Sequence, residues 1–119
     1  MELKGSAKLL RIFIGEADKL HHTPQHEVIV REARARGLAG ATAWRGLMAY
    51  GPTSRIRTAK VLDLSTDLPV IIEIVDAEEK INGFLPRLHE LFEQAKSGGL
   101  VTMEKVEIIR YLHGADRAS

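Results

Sequence analysis

The run LPVIIEIVD, residues 68–76, constrains this chain most. Val70, Ile72 and Ile74 alternate with Ile71, Glu73 and Val75, and β-branched side chains fill the run. That pattern suits a pleated, half-buried surface, so the fold contains a sheet. AKLLRIFIG (7–15) adds a strand, with Leu10, Ile12 and Ile14 on one face and Leu9, Arg11 and Phe13 on the other. ATAWRGLMAYG (41–51) reads as another, weakened or bulged at Gly46. GLVTMEKVEIIRYLHG (99–114) reads as the last, surest from Val106 to Tyr111.

Two helical patterns fall between the strands. Thr23 suits an N-cap, and Pro24 suits the first helical position, where its missing N–H is not needed. Ile29, Val30 and Ala33 form the buried stripe, Arg34 and Arg36 sit in the last turn, and Gly37 stops the helix. The second pattern, DAEEKINGFLPRLHELFEQAKSGG, opens on Asp76 and Glu79 as a capping box. Ile81, Phe84, Leu85, Leu88, Leu91, Phe92 and Ala95 recur at helical spacing. Pro86 is expected to bend this helix near Asn82-Gly83.

The order is βαββαβ, which predicts an α+β, ferredoxin-like domain: a four-stranded antiparallel sheet with both helices on one face. Residues 1–114 are expected to form this single domain, with 115–119 a flexible tail. Leu9, Phe13, Trp44, Ile71, Val75 and Ile109 cannot all lie under the helices, so the bare face predicts self-association. Trp44 belongs either to that interface or to the protomer core.

The chain has 119 residues, a formal net charge of +1 and no cysteine. A charge so near zero argues against a nucleic-acid partner. The lack of cysteine removes disulfides, zinc–thiolate sites and thiol catalysis. No run approaches a membrane span and no signal-peptide layout opens the chain, so a cytoplasmic protein is expected.

The sequence contains no paired-carboxylate signature, nucleophile elbow or phosphate-binding glycine motif, so an enzyme is not expected. Asp18, His21, His22 and His26 form a sparse metal-ligand set, for which a solvated loop before a helix is the better reading. His89 reads as surface and His113 as terminal. The long stretch from Gly51 to Asp67 is more informative. Gly51 permits close backbone approach, Thr53 and Ser54 offer hydroxyls, and Arg55, Arg57 and Lys60 offer charge. That set fits anion capture, against the plainer reading of a long solvated connection. Gly98-Gly99 reads equally well as a helix stop.

GLAGATAWRGLMAYGPTSRI, LSTDLPVIIEIVD and GLVTMEKVEI, taken in order, resemble the small bacterial and archaeal family of uncharacterised PII-like proteins, within the PII/CutA superfamily. The resemblance runs from about Ala7 to Gly114. It implies a homotrimer of ferredoxin-like protomers that binds an adenine nucleotide (AMP, ADP, ATP or cyclic di-AMP) between subunits and requires no cofactor. It also implies a signalling role: the mobile loop 51–67, the T-loop, docks on a partner such as a membrane transporter or channel. By position, Gly46, Gly51 and Ser54 match the T-loop base, and Glu73 and Val75 match the third-strand segment beside the nucleotide. Gly98, Gly99, Leu100 and Thr102 match the B-loop, while Arg55 and Arg57 are the expected phosphate partners. The sequence departs from PII proteins: the T-loop start lacks glutamine, Gly98-Gly99-Leu100-Val101 lacks the B-loop lysine, no tyrosine stands between residues 52 and 67 to match the modified T-loop tyrosine, and the region of His22 differs from relatives. The rival readings are a structural trimeric adaptor without a ligand, and a CutA-like divalent-metal binder using the His21–His26 region.

Overall fold

The structure is a computed structural model that describes residues 4–52, 56–58 and 67–112. Strand β1 spans Gly5–Gly15, and the short strands β2 (Lys19–Leu20) and β3 (Thr23–Pro24) pair with each other. Helix α1 (Gln25–Ala35) follows, then β4 (Thr42–Arg45), β5 (Met48–Ala49) and β6 (Arg57–Thr58). Strand β7 (Pro69–Asp76), helix α2 (Glu78–Ala95) and β8 (Leu100–Ile108) complete the order. The main sheet runs β4-β7-β1-β8, with every neighbouring pair antiparallel. With both helices on one face, this is the expected ferredoxin-like α+β arrangement.

The strand alternation decides the core. Leu10, Ile12, Ile72 and Ile74 are fully buried beneath Ile29, Ile81, Phe84, Leu88 and Leu91 of the helices. Each such side chain contributes about 1.5–3 kcal/mol relative to exposure. Val30 packs only partly against this core, whereas Gln25 is fully buried.

Local boundaries differ from the sequence reading. Thr23 does not cap α1, because it pairs with Leu20, and Pro24 occupies the cap position in an extended conformation. The Gln25 N–H donates to the Asp18 carbonyl at 2.8 Å. No capping box opens α2 either: Ala77 is the cap residue and Asp76 ends β7, almost fully buried. The Asp76 carboxylate instead accepts the Ala77 N–H at 2.7 Å and the Ala39 N–H at 2.9 Å. That ties the start of α2 to the connection after α1. Helix α2 continues through Pro86 to Ala95, and Lys96 caps it in the left-handed region. Gly98-Gly99 therefore lie beyond the helix stop.

The strand expected over 41–51 divides. Arg45 ends β4, the Gly46 N–H donates to the Pro69 carbonyl at 2.8 Å, and β5 then pairs with β6 instead of joining the main sheet. Strand β8 stops at Ile108, short of the stretch to Tyr111 that the sequence favoured. Past it, the Tyr111 hydroxyl donates to the Ala39 carbonyl, which brings residues 109–112 across the sheet face opposite the helices.

That open face carries two ranks across all four strands. Trp44, Ile71, Phe13 and Leu100 form an apolar rank, and Thr42, Glu73, Arg11 and Thr102 a polar one. Trp44 is 49% exposed, which places it on this face and not in the protomer core. Ile71 is buried although no helix covers it, and Ile109 lies beyond β8, exposed. No helix among the described residues is long and apolar enough to cross a membrane.

Candidate functional site

Strands β5 and β6 form a short arm that leaves the sheet beside the end of β1. Where it departs, Gly46 packs closely on Pro69: a Cβ there would lie 2.6 Å from Pro69 Cγ. The arm and the loop after α2 enclose a cleft of about 660 Å³. Ala49, Tyr50, Gly51, Pro52 and Arg57 form the arm side. Gly98, Gly99 and Leu100 form the opposite side, over Phe13, Ile14, Gly15, Asp67 and Pro69.

Of the sequence-proposed residues, the cleft brings together Gly51, Arg57, Gly98 and Gly99. Gly99 must be small, because a Cβ there would meet the Phe13 carbonyl at 2.6 Å and Phe92 Cε1 at 2.8 Å. Among the described residues, nothing lies within 4 Å of a Cβ added at Gly51 or Gly98. Gly46 lies between β4 and the arm and does not line the cleft. Ser54 and Arg55, with Thr53 and Lys60, lie outside the described residues.

Glu73, Val75 and Thr102 are elsewhere, on the open sheet face. Glu73 accepts from Arg11 at 2.8 Å, and Arg11 also reaches Glu104 at 3.2 Å. Glu73 and Val75 line a second groove of about 660 Å³ beneath the segment that ends in Tyr111. Thr102 lies opposite Arg11 in the strand register.

Carboxylates also stand by the end of β1: Asp67, which lines the cleft, and Asp18, which the sequence offered only as a metal-ligand candidate. Asp18 Oδ2 accepts the Gly15 N–H at 2.9 Å, and Asp67 Oδ1 accepts the Ala17 N–H at 2.8 Å. Burial raises the Asp18 pKa above the ordinary carboxylate value; the Gly15 N–H opposes this and the Asp67 charge adds to it. Glu16 pairs with Arg45 at 2.8 Å. Asp67 and the lining of Phe13, Tyr50 and Pro69 were missed because only the fold draws them to one place, whereas Leu100 was matched to the B-loop. Among the described residues, no group of three or more His, Cys, Asp or Glu side chains could hold a metal ion.

The fold is that of the PII-like class. CPII from Thiomonas intermedia K12, in a structure described as bound to ADP, AMP and bicarbonate, is similar at a TM-score of 0.64 and 19% identity, covering 87% of this chain and 88% of that one. The chain itself belongs to the DUF190 family, described as an uncharacterized ACR, which it matches over residues 7–108. It is 42% identical over 102 residues to a UPF0166 protein of Aquifex aeolicus, across 86% of this chain and 92% of the relative. A UPF0166 protein of Methanocaldococcus jannaschii is 35% identical over 104 residues, across 87% of this chain and 93% of the relative.

Proposed function

We propose that this chain is a PII-like signalling protein that binds an adenine nucleotide in the cleft and does not turn it over. The observation that carries the reading is the cleft itself. It joins the base of the long connection to the Gly98–Leu100 loop, the two segments that the resemblance pairs around a nucleotide. The ADP and AMP bound to CPII, a protein of the same fold, support an adenine nucleotide as the ligand. Arg57 and Arg55 supply positive charge for the phosphate, and Ser54 donates a hydroxyl hydrogen bond. Gly51, Gly98 and Gly99 allow close backbone approach. Glu73, Val75 and Thr102 act from the open face of a neighbouring copy in a homotrimer that buries that face, and Gly46 lies between β4 and the arm. Ligand occupancy biases the order of loop 51–67, which docks on a partner, a membrane transporter or channel, from the cytoplasm.

Calorimetric titration with ATP, ADP, AMP, cyclic di-AMP and divalent metals, alongside light scattering, tests this. Nucleotide binding by a trimer is the expected result. A trimer that binds nothing favours the adaptor reading, and metal binding alone favours the CutA-like one. Replacing Ser54 or Arg55 by Ala should weaken nucleotide binding by about 1.5–3 kcal/mol, roughly ten- to a hundredfold for the charged contact. Unchanged affinity in both variants removes the loop base from the site.

A further inference from the structure

One wall of the cleft serves no purpose in an anion site as described so far. Asp67 lines it beside Arg57, although a carboxylate repels a nearby phosphate. Its placement is built, not incidental. Oδ1 accepts the Ala17 N–H at 2.8 Å. The next residue, Leu68, is buried, and its carbonyl accepts the Glu16 N–H at 2.8 Å. The chain also leaves room for the carboxylate: a Cβ on Gly15 would lie 2.6 Å from Asp67 Oδ2 and 2.9 Å from Oδ1. Among the described residues, Oδ2 accepts no hydrogen bond.

An ionised carboxylate is an acceptor only, so it is useful in a cleft when the ligand brings donors. The phosphate of a nucleotide brings none. The adenine amino group is a donor, but it stands beside a ring nitrogen whose lone pair would face the carboxylate. The two neighbouring hydroxyls of a ribose both donate, and a carboxylate suits them, as acidic residues do in dinucleotide sites of other folds. The remaining walls match the rest of such a ligand. Arg57 faces an anion, and Phe13, Tyr50 and Leu100 offer apolar surface to a flat base.

We propose that Asp67 reads the sugar hydroxyls of the ligand, held in place by Ala17 and by the bare backbone at Gly15, so that the cleft selects ribonucleotides by their diol. This rests on the nucleotide reading above.

The test compares AMP, ADP and ATP with their 2′-deoxy, 3′-deoxy and inosine counterparts by calorimetry. Wild-type protein, Asp67→Ala, Asp67→Asn and Gly15→Ala are each titrated. Wild type should prefer at least one ribose form over its deoxy counterpart by about tenfold or more, the range for a hydrogen bond to a charged group. Asp67→Ala should bring the ribose form down to the deoxy level while leaving deoxy binding unchanged or tighter. Gly15→Ala, which displaces the carboxylate, should do the same, and Asp67→Asn should fall between. Equal binding of ribose and deoxy forms by wild type overturns the proposal without recourse to any variant. Discrimination that survives in Asp67→Ala also overturns it, as does loss of adenine-over-inosine preference in its place. If no nucleotide binds, the nucleotide reading falls as well; if nucleotides bind without sugar discrimination, only the role of Asp67 does.

Discussion

The two faces of the main sheet share strands and alternation, yet they are finished differently. On the helix side, Leu10, Ile12, Ile72 and Ile74 are sealed by α1 and α2. On the other side, the rank Trp44–Ile71–Phe13–Leu100 has no helix above it, and Trp44 and Leu100 remain about half exposed. The next rank is polar, centred on Arg11 between Glu73 and Glu104. The first face is complete within one protomer. The second combines apolar surface with a charge cluster, as surfaces that meet a partner often do.

Substitutions on each face test this contrast. Phe84→Ala removes a fully buried ring from the helix side and should cost about 3–5 kcal/mol in denaturant unfolding. A cost below about 1 kcal/mol would mean that the covered face is not the stability centre. Gly99→Ala acts where the entry to β8 meets both faces, against the Phe13 carbonyl and the Phe92 ring. It should cost about 1–3 kcal/mol, while Gly98→Ala, which meets nothing, should cost little. Equal effects at the two glycines would contradict the packing described.

Glu32 lies on α1, bound to Arg87 of α2 at 2.8 Å and to Arg36 at 3.6 Å. Its pKa is lowered, first by the hydrogen bond from Arg87. The stability it supplies is therefore present above the ordinary carboxylate value of 4.5 and is lost as pH falls through the lower folded value. Glu32→Gln should cost about 0.5 kcal/mol at neutral pH and flatten the acid limb of the stability profile. Trp44→Ala should cost the protomer clearly less than Phe84→Ala, because half of Trp44 is already exposed. Its consequence should appear in light scattering, as weaker self-association. A cost matching Phe84→Ala in dilute, monomeric protein would erase the difference between the faces.

Much of this architecture was legible in the sequence. The alternation in 7–15 and 68–76, and the stripe from Ile81 to Ala95, are local patterns that name their own burial partners. The cleft was legible only in part. Gly51 and Arg57 came from the chemistry of the basic loop, Gly98 and Gly99 from the resemblance, and all four line the cleft. Glu73 and Val75 were read with them but lie further along the open face, two and four residues down β7 from Ile71, whose partner Phe13 lines the cleft. Thr23 and Asp76 looked like caps because their residue types suit that role, and strand pairing and burial claimed both first.

The sequence by itself determined the number and order of the main elements and the side of the sheet that the helices seal. Periods of two and 3.6 residues act over a few neighbours and need no distant partner to be read. Only the tertiary structure decided where strands end and which side chains share the cleft. Gly46 must lack a Cβ because Pro69 stands against it. Asp67 reaches the cleft because a backbone N–H 50 residues earlier and the bare Cα of Gly15 receive its carboxylate. Such contacts depend on closing long loops, so no short stretch of residues carries them.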